Sequence, residues 1–500
     1  MTNLDDTQPN PVIYAQDEIP APPRILLWGI LGLFVLGIFG TAFGVYAFRD
    51  VLRPSQQQRV IGYLPFMDSF LRRGEDLPTA PAVDQQALNS LLTSPLTLGT
   101  PTANPDNAII LEATEDALEV IEATPETVEA TEEAVVTEEV VVAEVATEIL
   151  STPIPQPTAT EQVAEVVPTQ QTANTSPVAQ SNVSTRPSSQ ILGGITWEQQ
   201  SWNNCGPANI TMALSYYGWT RNQDFAENIL RPETEDKNVR PDEMVAFVNE
   251  QTDLNAIYRY GGDIDMLRDL LANGFPVIIE AGSTPEGNAW LGHYQTVAGY
   301  DDGQQAFFAY DSFIGATTSD GIVVETYSDL DANWQDFNRL FIVIYEPSRE
   351  SLVMDLLGVR ADPLQAAEHA FNVAQSEALA NPRDPYAYFN MGVSLAQLDR
   401  YDEAQTAFDY ANRLGFHYRM LWYQFDLFET YLNVGRIDDV LAYVGSNLTN
   451  GGQWVEETYY WQGRALAAQG NTAAASTAFR TALNRNPNFT DAQIALDELS

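Results

Sequence analysis

No aromatic side chain occurs between Phe70 and Trp197, and within that stretch residues 74–185 carry 19 acids and not one lysine or arginine. Such a segment cannot bury enough apolar surface to offset the entropy of ordering it, and its like charges repel and extend the chain. It therefore separates the 500-residue chain into two parts that must fold without it. Runs such as "EATEDALEVIEATPETVEATEEAVV" and "STPIPQPTATEQ" read as a solvated spacer. As a random coil its ends would lie on the order of 60 Å apart. Over the whole chain 68 acids face 24 bases, a net charge of −44. That balance excludes a nucleic-acid binder, whose affinity rests on Lys and Arg neutralising phosphates.

Ahead of the spacer, Ile25 to Phe48 runs 24 residues without a charge. As a helix it would be about 36 Å long, enough for a hydrocarbon core of about 30 Å. Arg24 and Arg49 bracket it, and Trp28 and Tyr46 stand near its ends as interfacial anchors would. The expectation is a single-pass transmembrane helix over 25–48, with 1–24 as a short tail. Arg49, Arg53 and Arg59 follow the span and favour a cytoplasmic C-terminal side. The Thr/Pro/Ala/Glu spacer, of a kind common on cell surfaces, favours the opposite. The C-terminal domains are expected to be extracytoplasmic.

Aromatic residues return after Ile191, in "TWEQQSWNNCGPANITMALSYYGW". Ile210, Ala213, Leu214 and Tyr217 fall at i, i+3, i+4 and i+7, one face of a helix. Pro207 suits its first turn and Gly218 its far end. Cys205, the one cysteine of the chain, then lies at a helix N-terminus, where the macrodipole and free N–H groups favour thiolate. A single cysteine excludes an intrachain disulfide and a multi-cysteine zinc site. No cofactor or metal is called for.

A nucleophilic thiol needs a base. His293 begins "HYQTVAGYDD", a strand running into an Asp302-Gly303 turn, with "QQAFFAYDS" as the returning strand. Asp311, at the end of that strand, is placed to orient the imidazole. Asp301 and Asp302 are rivals, but they lie in the turn. Gln199 and Gln200 precede Cys205 by six and five residues. Either could offer its side-chain amide to a developing oxyanion, together with the Cys205 N–H. A lone cysteine is commonly just a small buried hydrophobe. Here Cys on a helix, then His on a strand, then Asp after the next strand, repeats the order of a papain-like triad.

Residues 191–347 resemble the peptidase family 39-like domains, papain-fold relatives of cysteine peptidases that cleave after double glycines. The resemblance rests on "QSWNNCGPA" from Gln200, "GHYQTVAGYD" from Gly292 and "YDS" from Tyr310. It implies Cys205 as nucleophile, His293 as base, Asp311 as its orienting partner and Gln200 as oxyanion donor, with Gln199 still open. Transporter-associated members continue into membrane and nucleotide-binding domains. Here there is no Gly-x4-Gly-Lys-Ser/Thr loop, so the resemblance implies thiol hydrolysis rather than leader-peptide export. "DEMVAFVNEQ" and "DIDMLRDLLANG" read as helices, each started by a capping Asp. "FPVIIEA", "GIVVETY" and "RLFIVIYE" read as further strands of a largely antiparallel sheet.

Beyond Pro347 the pattern is helical. "PYAYFNMGVSLAQLDRYDEAQTAFDYANRLGF" matches the tetratricopeptide (TPR) helix pair, with Tyr388, Gly392, Leu395, Ala404, Phe408 and Ala411 in signature positions. A second copy runs from Glu456 to Pro487 with Gly463, Ala475 and Phe479, and a degenerate unit about Leu421–Ser446 lies between. Residues 363–380 add a helix before the array. His369 and His417 read as surface residues.

The expected architecture is an α+β papain-like domain plus an all-α TPR solenoid, behind a transmembrane helix and a disordered acidic linker. The segments are 1–24 tail, 25–48 span, 49–190 juxtamembrane segment and linker, 191–347 peptidase-like domain and 360–500 repeats. The expected function is a membrane-anchored thiol hydrolase, a peptidase using Cys205, His293 and Asp311. Its partners would be a peptide or protein substrate, a protein partner on the concave TPR face, and the membrane through 25–48. The alternatives are an inactive papain-like/TPR surface adaptor, or a thiol acyltransferase using the same cysteine.

Overall fold

The computed structural model describes residues 40, 43–70, 77–94, 96, 186–285 and 289–499. Among these no helix is long and apolar enough to cross a membrane. The apolar run 25–48 lies outside them, apart from Gly40 and residues 43–48. Most of the acidic spacer, 97–185, lies outside them too.

One antiparallel sheet carries the middle of the chain. Its strands are β1 (Ser189–Ile191), β2 (Asn255–Arg259), β3 (Val277–Ser283), β4 (Leu291–Asp301), β5 (Ala306–Tyr310), β6 (Ile322–Thr326) and β7 (Phe341–Tyr345). They lie in the order β2-β7-β3-β4-β5-β6, with β1 also paired to β4. The expected strands are all present. β1 and β2 are additions, because "SQI" and "NAIYR" carry little periodicity and owe their extension to pairing with β4 and β7.

Both faces of the sheet are covered, so β3 and β7 read as continuous apolar runs. Side chains alternate across a strand. Ile278, Ile342 and Ile344 enter one core, while Val277, Ile279, Phe341, Val343 and Tyr345 enter the other.

Two helices, α1 (Pro54–Tyr63) and α2 (Gln85–Thr93), precede the sheet. Interleaved with its strands come α3 (Cys205–Ser215), α4 (Gln223–Leu230), α5 (Pro241–Gln251), α6 (Ile264–Ala272) and α7 (Tyr327–Gln335), followed by α8 (Glu350–Leu357). Asp263 caps α6 as expected, accepting from the Met266 N–H at 2.7 Å. The start of α5 differs: Pro241 is its first residue, and Arg240 donates its backbone N–H to Glu243 at 2.9 Å, so Asp242 is no cap. α3 is buried along its whole length from Gly206 to Leu214. Ile210, Ala213 and Leu214 face one core and Met212 the other, which makes it the central helix rather than an amphipathic one.

The repeats comprise α9 (Pro363–Ala380), then the pairs α10 (Pro385–Ala396) with α11 (Tyr401–Leu414), α12 (Asp426–Asn433) with α13 (Ile437–Thr449), and α14 (Glu456–Ala468) with α15 (Thr472–Arg485), then α16 (Thr490–Glu498). Small residues let the helices of a pair approach. A Cβ on Gly392 would stand 2.7 Å from the Phe408 ring, and Gly463 meets Phe479 in the same way. Gly392→Ala is therefore expected to cost about 1–3 kcal/mol through overpacking, lowering the midpoint of thermal unfolding. An unchanged midpoint would show that Phe408 can move aside.

The repeats do not hang free. They share one core with α3, α5 and the near face of the sheet. Polar contacts run along the array, from Asn338 Nδ2 to Ser394 Oγ at 3.0 Å, through Arg419 to the Trp290 carbonyl at 2.9 Å, to Arg485 and Glu233 at 3.1 Å. His369 and His417, read as surface residues, are half-buried at this junction. His369 Nε2 is 2.8 Å from the Arg360 guanidinium. His417 packs on Trp290, ring centres 5.2 Å apart, and burial together with Arg419 pushes its pKa down to about 4.

The linker reading also needs correction at its near end. Asp84 caps α2, and Leu88 and Leu91 are buried in the shared core. The Asn412 side-chain amide donates to the Pro78 carbonyl at 2.8 Å. A helix of nine residues is marginal alone; docking onto the repeats supplies what its sequence lacks.

Candidate active site

Cys205 is the first residue of α3, with Asn204 at the cap position and Asn203 in the left-handed region at φ 55°. That kinked loop is held from behind by Arg231, which is fully buried. Its guanidinium donates to the Trp202 carbonyl at 2.8 Å, to Asn204 Oδ1 at 3.1 Å and to the Thr234 carbonyl at 2.7 Å. It also pairs with Glu227 at 2.9 Å. The Asn204 amide in turn donates to Gln223 Oε1 at 2.9 Å. The loop geometry is thus set by one cation shared among acceptors.

His293 lies near the start of β4 and is 3% exposed. Its Nε2 stands 3.1 Å from Asp311 Oδ1, close enough for an ion pair though out of line for a well-formed hydrogen bond. The imidazole also hydrogen bonds Cys205. With Nε2 toward Asp311, Nδ1 is the nitrogen left for the thiol. Asp311 follows β5 and is fully buried. Its Oδ1 accepts the N–H groups of Phe313 at 2.7 Å and Ile314 at 2.6 Å, and its Oδ2 accepts Gln295 Nε2 at 2.8 Å. Asp301 ends β4 and accepts from the Gly303 N–H at 2.8 Å, while Asp302 lies in the turn that follows, bonded to Tyr327 at 2.9 Å.

Burial alone would raise the thiol pKa and lower that of the imidazole. Both are overridden. His293, as hydrogen-bond donor and as charge, helped by the Tyr294 N–H and Arg231, brings Cys205 below an ordinary thiol. Asp311 and Cys205 together push His293 up to about 10. Burial opposes the Asp311 charge, but the His293 charge and the hydrogen bonds hold the carboxyl well below its usual range. Both shifts favour the thiolate–imidazolium form of the pair over the neutral one. Cys205 keeps part of its surface open to solvent while its thiol is closely surrounded by protein.

Of the two glutamines, Gln199 is exposed and offers only its carbonyl, to Gln223 at 2.7 Å. Gln200 is fixed: its N–H donates to the Ser312 carbonyl at 2.8 Å, and its Oε1 accepts from Ser312 Oγ at 2.8 Å. With the oxygen so engaged, the NH2 end is the free one. Ser312 Oγ accepts in turn from Asn209 Nδ2 at 3.2 Å, and that amide also meets the Cys205 carbonyl at 3.0 Å. Gln295 and Ser312 fall inside the stretches that carry the resemblance, which implies no role for them, and Asn209 lies just outside. Their cue is only the polar residue on an otherwise buried helix or strand.

Two further features escaped the sequence. Glu280 on β3 is 3% exposed, and burial with the nearby Cys205 charge pushes its carboxyl well above the usual range. The repeats also form one wall of the site. Tyr423 packs against Gly292, where a Cβ would stand 3.1 Å from its ring, and its hydroxyl is raised by burial and by Cys205. Lys237, the one lysine of the chain, lies between the Trp202 and Trp422 rings at 5.4 and 6.0 Å. Burial lowers its pKa to about 8.

Residues 190–341 match the family described as Peptidase C39 like, and residues 456–489 match the tetratricopeptide repeat. Three solved structures are similar. A C39-like peptidase from Bacillus anthracis is 16% identical, over 31% of this chain and 96% of that one, TM-score 0.26. The peptidase domain of Streptococcus ComA, a bi-functional ABC transporter involved in quorum sensing, is 14% identical over 30% and 98%, TM-score 0.25. A double-glycine-motif protease from an AMS/PCAT transporter, in complex with its leader peptide, is 16% identical over 32% and 98%, TM-score 0.23. No curated protein matches. The chain thus carries a C39-like, papain-type peptidase domain followed by a helical region with a tetratricopeptide repeat.

Proposed function

We propose that this protein is a membrane-anchored cysteine peptidase whose repeats brace the catalytic domain and recruit a protein partner or substrate. The observation that carries the reading is the burial of His293 between Cys205 and Asp311, its Nε2 3.1 Å from Asp311 Oδ1, in surroundings that lower the thiol pKa and raise that of the imidazole. Burying a histidine and an aspartate beside the thiol costs desolvation energy that a purely structural cysteine has no reason to incur.

In this mechanism the Cys205 sulfur attacks the peptide carbonyl carbon. The oxyanion is met by the Cys205 N–H and the free NH2 of Gln200. His293 passes its proton to the leaving amine, giving a thioester, and then takes a proton from the water that hydrolyses it. An amine in place of that water would make the same site an acyltransferase. The apolar run 25–48 supports anchoring, and the long spacer supports extracytoplasmic placement of the catalytic domain.

The Tyr423 wall favours a second reading, an adaptor in which the repeats close a site that no longer turns over. Alkylation separates the two. Iodoacetamide should modify Cys205 with an acid limb displaced to lower pH than that of an ordinary thiol, because His293 favours the thiolate, and His293→Ala should move that limb back up. An ordinary thiol would instead rise about tenfold per pH unit up to about 8.5. A Cys205 that resists alkylation in the folded protein would favour the adaptor. A membrane-impermeant thiol probe applied to intact cells reads orientation in the same experiment.

A further inference from the structure

Acidic side chains meet where the segment after Arg231 packs on the start of α14. Glu243, in the first turn of α5, and Glu456 and Glu457, the first two residues of α14, offer carboxylate oxygens within 4.8 Å of one another. Glu456 and Glu457 are each 2% exposed, as is Asp236, whose carboxyl lies against that of Glu456. Partners are few. Asn486 donates to Glu456 Oε1 at 2.7 Å, the Arg240 N–H donates to Glu243, and Arg240 Nε stands 3.9 Å from Glu457 Oε1. That guanidinium is shared with Asp242 and Asp491. Among the described residues the Oε2 atoms of Glu456 and Glu457 have no hydrogen-bond partner at all.

Two buried carboxylate oxygens without hydrogen-bond partners, in a cluster whose one nearby guanidinium is 3.9 Å away and shared with Asp242 and Asp491, leave this acidic cluster short of positive charge. We propose that Glu243, Glu456 and Glu457, with Asp236 beside them, bind a calcium-class divalent cation that clamps the peptidase-like domain to the repeats. Oxygens up to 4.8 Å apart can share one ion at about 2.4 Å each, inside the calcium range. Magnesium, at about 2.0–2.1 Å, would require opposing oxygens no more than about 4.2 Å apart. Zinc favours nitrogen and sulfur, and this donor set is oxygen alone. The site bears on the catalytic helix through Val239. A Cβ on Gly206 would lie 3.1 Å from the Val239 side chain, and the Val239 carbonyl accepts the Tyr294 hydroxyl at 3.0 Å.

The test uses the full chain, stripped with EDTA and titrated with terbium(III) as a luminescent calcium substitute. Saturable emission at one ion per chain, reversed by calcium, is expected, together with a calcium-dependent rise in thermal midpoint. The double variant Glu456→Gln, Glu457→Gln should bind at least tenfold more weakly and lose that rise. Without metal it should melt no lower than the parent protein, because the uncompensated charges are gone. Glu243→Gln, on the other side of the junction, should weaken binding in the same way. Absence of reversible terbium emission, or binding that survives both substitutions, would overturn the site and leave the carboxyls holding protons instead. None of these readouts depends on peptidase activity.

Discussion

Cys205→Ala is expected to abolish peptide cleavage, a loss on the order of 10⁴-fold or more in kcat/KM, because no other group can form the thioester. His293→Ala should lose comparably, since one imidazole both stabilises the thiolate and protonates the leaving amine. Asp311→Asn should lose less. Phe313, Ile314 and Gln295 still hold the side chain in place, but the charge that most raises His293 is gone. Its imidazolium should then deprotonate nearer neutrality, and the alkaline limb of the pH–rate profile should move to lower pH. Mass spectrometry of a peptide library incubated with each variant reads the first two effects. Cleavage by Cys205→Ala at the rate of the parent protein would rule the hydrolase reading out. Circular dichroism should stay unchanged for Cys205→Ala, which removes only the thiol from a well-packed helix.

The second large effect falls on Arg231→Met. The substitution keeps volume but strands the Glu227 carboxylate, Asn204 Oδ1 and the Trp202 and Thr234 carbonyls. Removing one partner of a buried charge network costs about 3–5 kcal/mol. Arg231→Lys should recover little, because a point ammonium cannot serve acceptors spread around a planar fork. Thermal unfolding gives the first readout. Alkylation gives the second: Arg231 favours the thiolate of Cys205, so its acid limb should shift to higher pH in the methionine variant. A stability loss without that shift would make Arg231 a support for the loop alone.

The chemistry of the candidate site was legible wherever it followed local periodicity. Cys205 announces its helix through Pro207 and the Ile210–Tyr217 face, and His293 and Asp311 lie at the ends of strands bounded by a turn. The small–large pairs Gly392 with Phe408 and Gly463 with Phe479 made the repeats readable for the same reason, since each pair packs within one helical hairpin. Other groups could not be read this way. Gln200, Asn209 and Ser312 are joined through contacts spanning more than a hundred residues. Nothing local in "VIIEA" marks Glu280 as an acid with a raised pKa, because the shift follows from burial beside Cys205. α2 was hidden inside a low-complexity stretch, because its stability comes from the surface it docks on.

Sequence alone indicated where a core can form, through aromatic content and charge, but it placed α2 inside the linker and the repeats apart from the core they share. It also singled out Cys205, His293 and Asp311 as candidates, which the fold brings together. The tertiary structure decided that the repeats are continuous with the peptidase-like core and wall the candidate site with Tyr423. It also decided which way each acid shifts. Asp311 is held charged by His293 and backbone N–H groups, Glu280 is pushed well above the usual range by burial, and Glu456 and Glu457 are left with orphaned oxygens. The physical reason is common to all of them: a carboxyl group's state depends on the partners and solvent that folding brings to it, which local sequence does not encode.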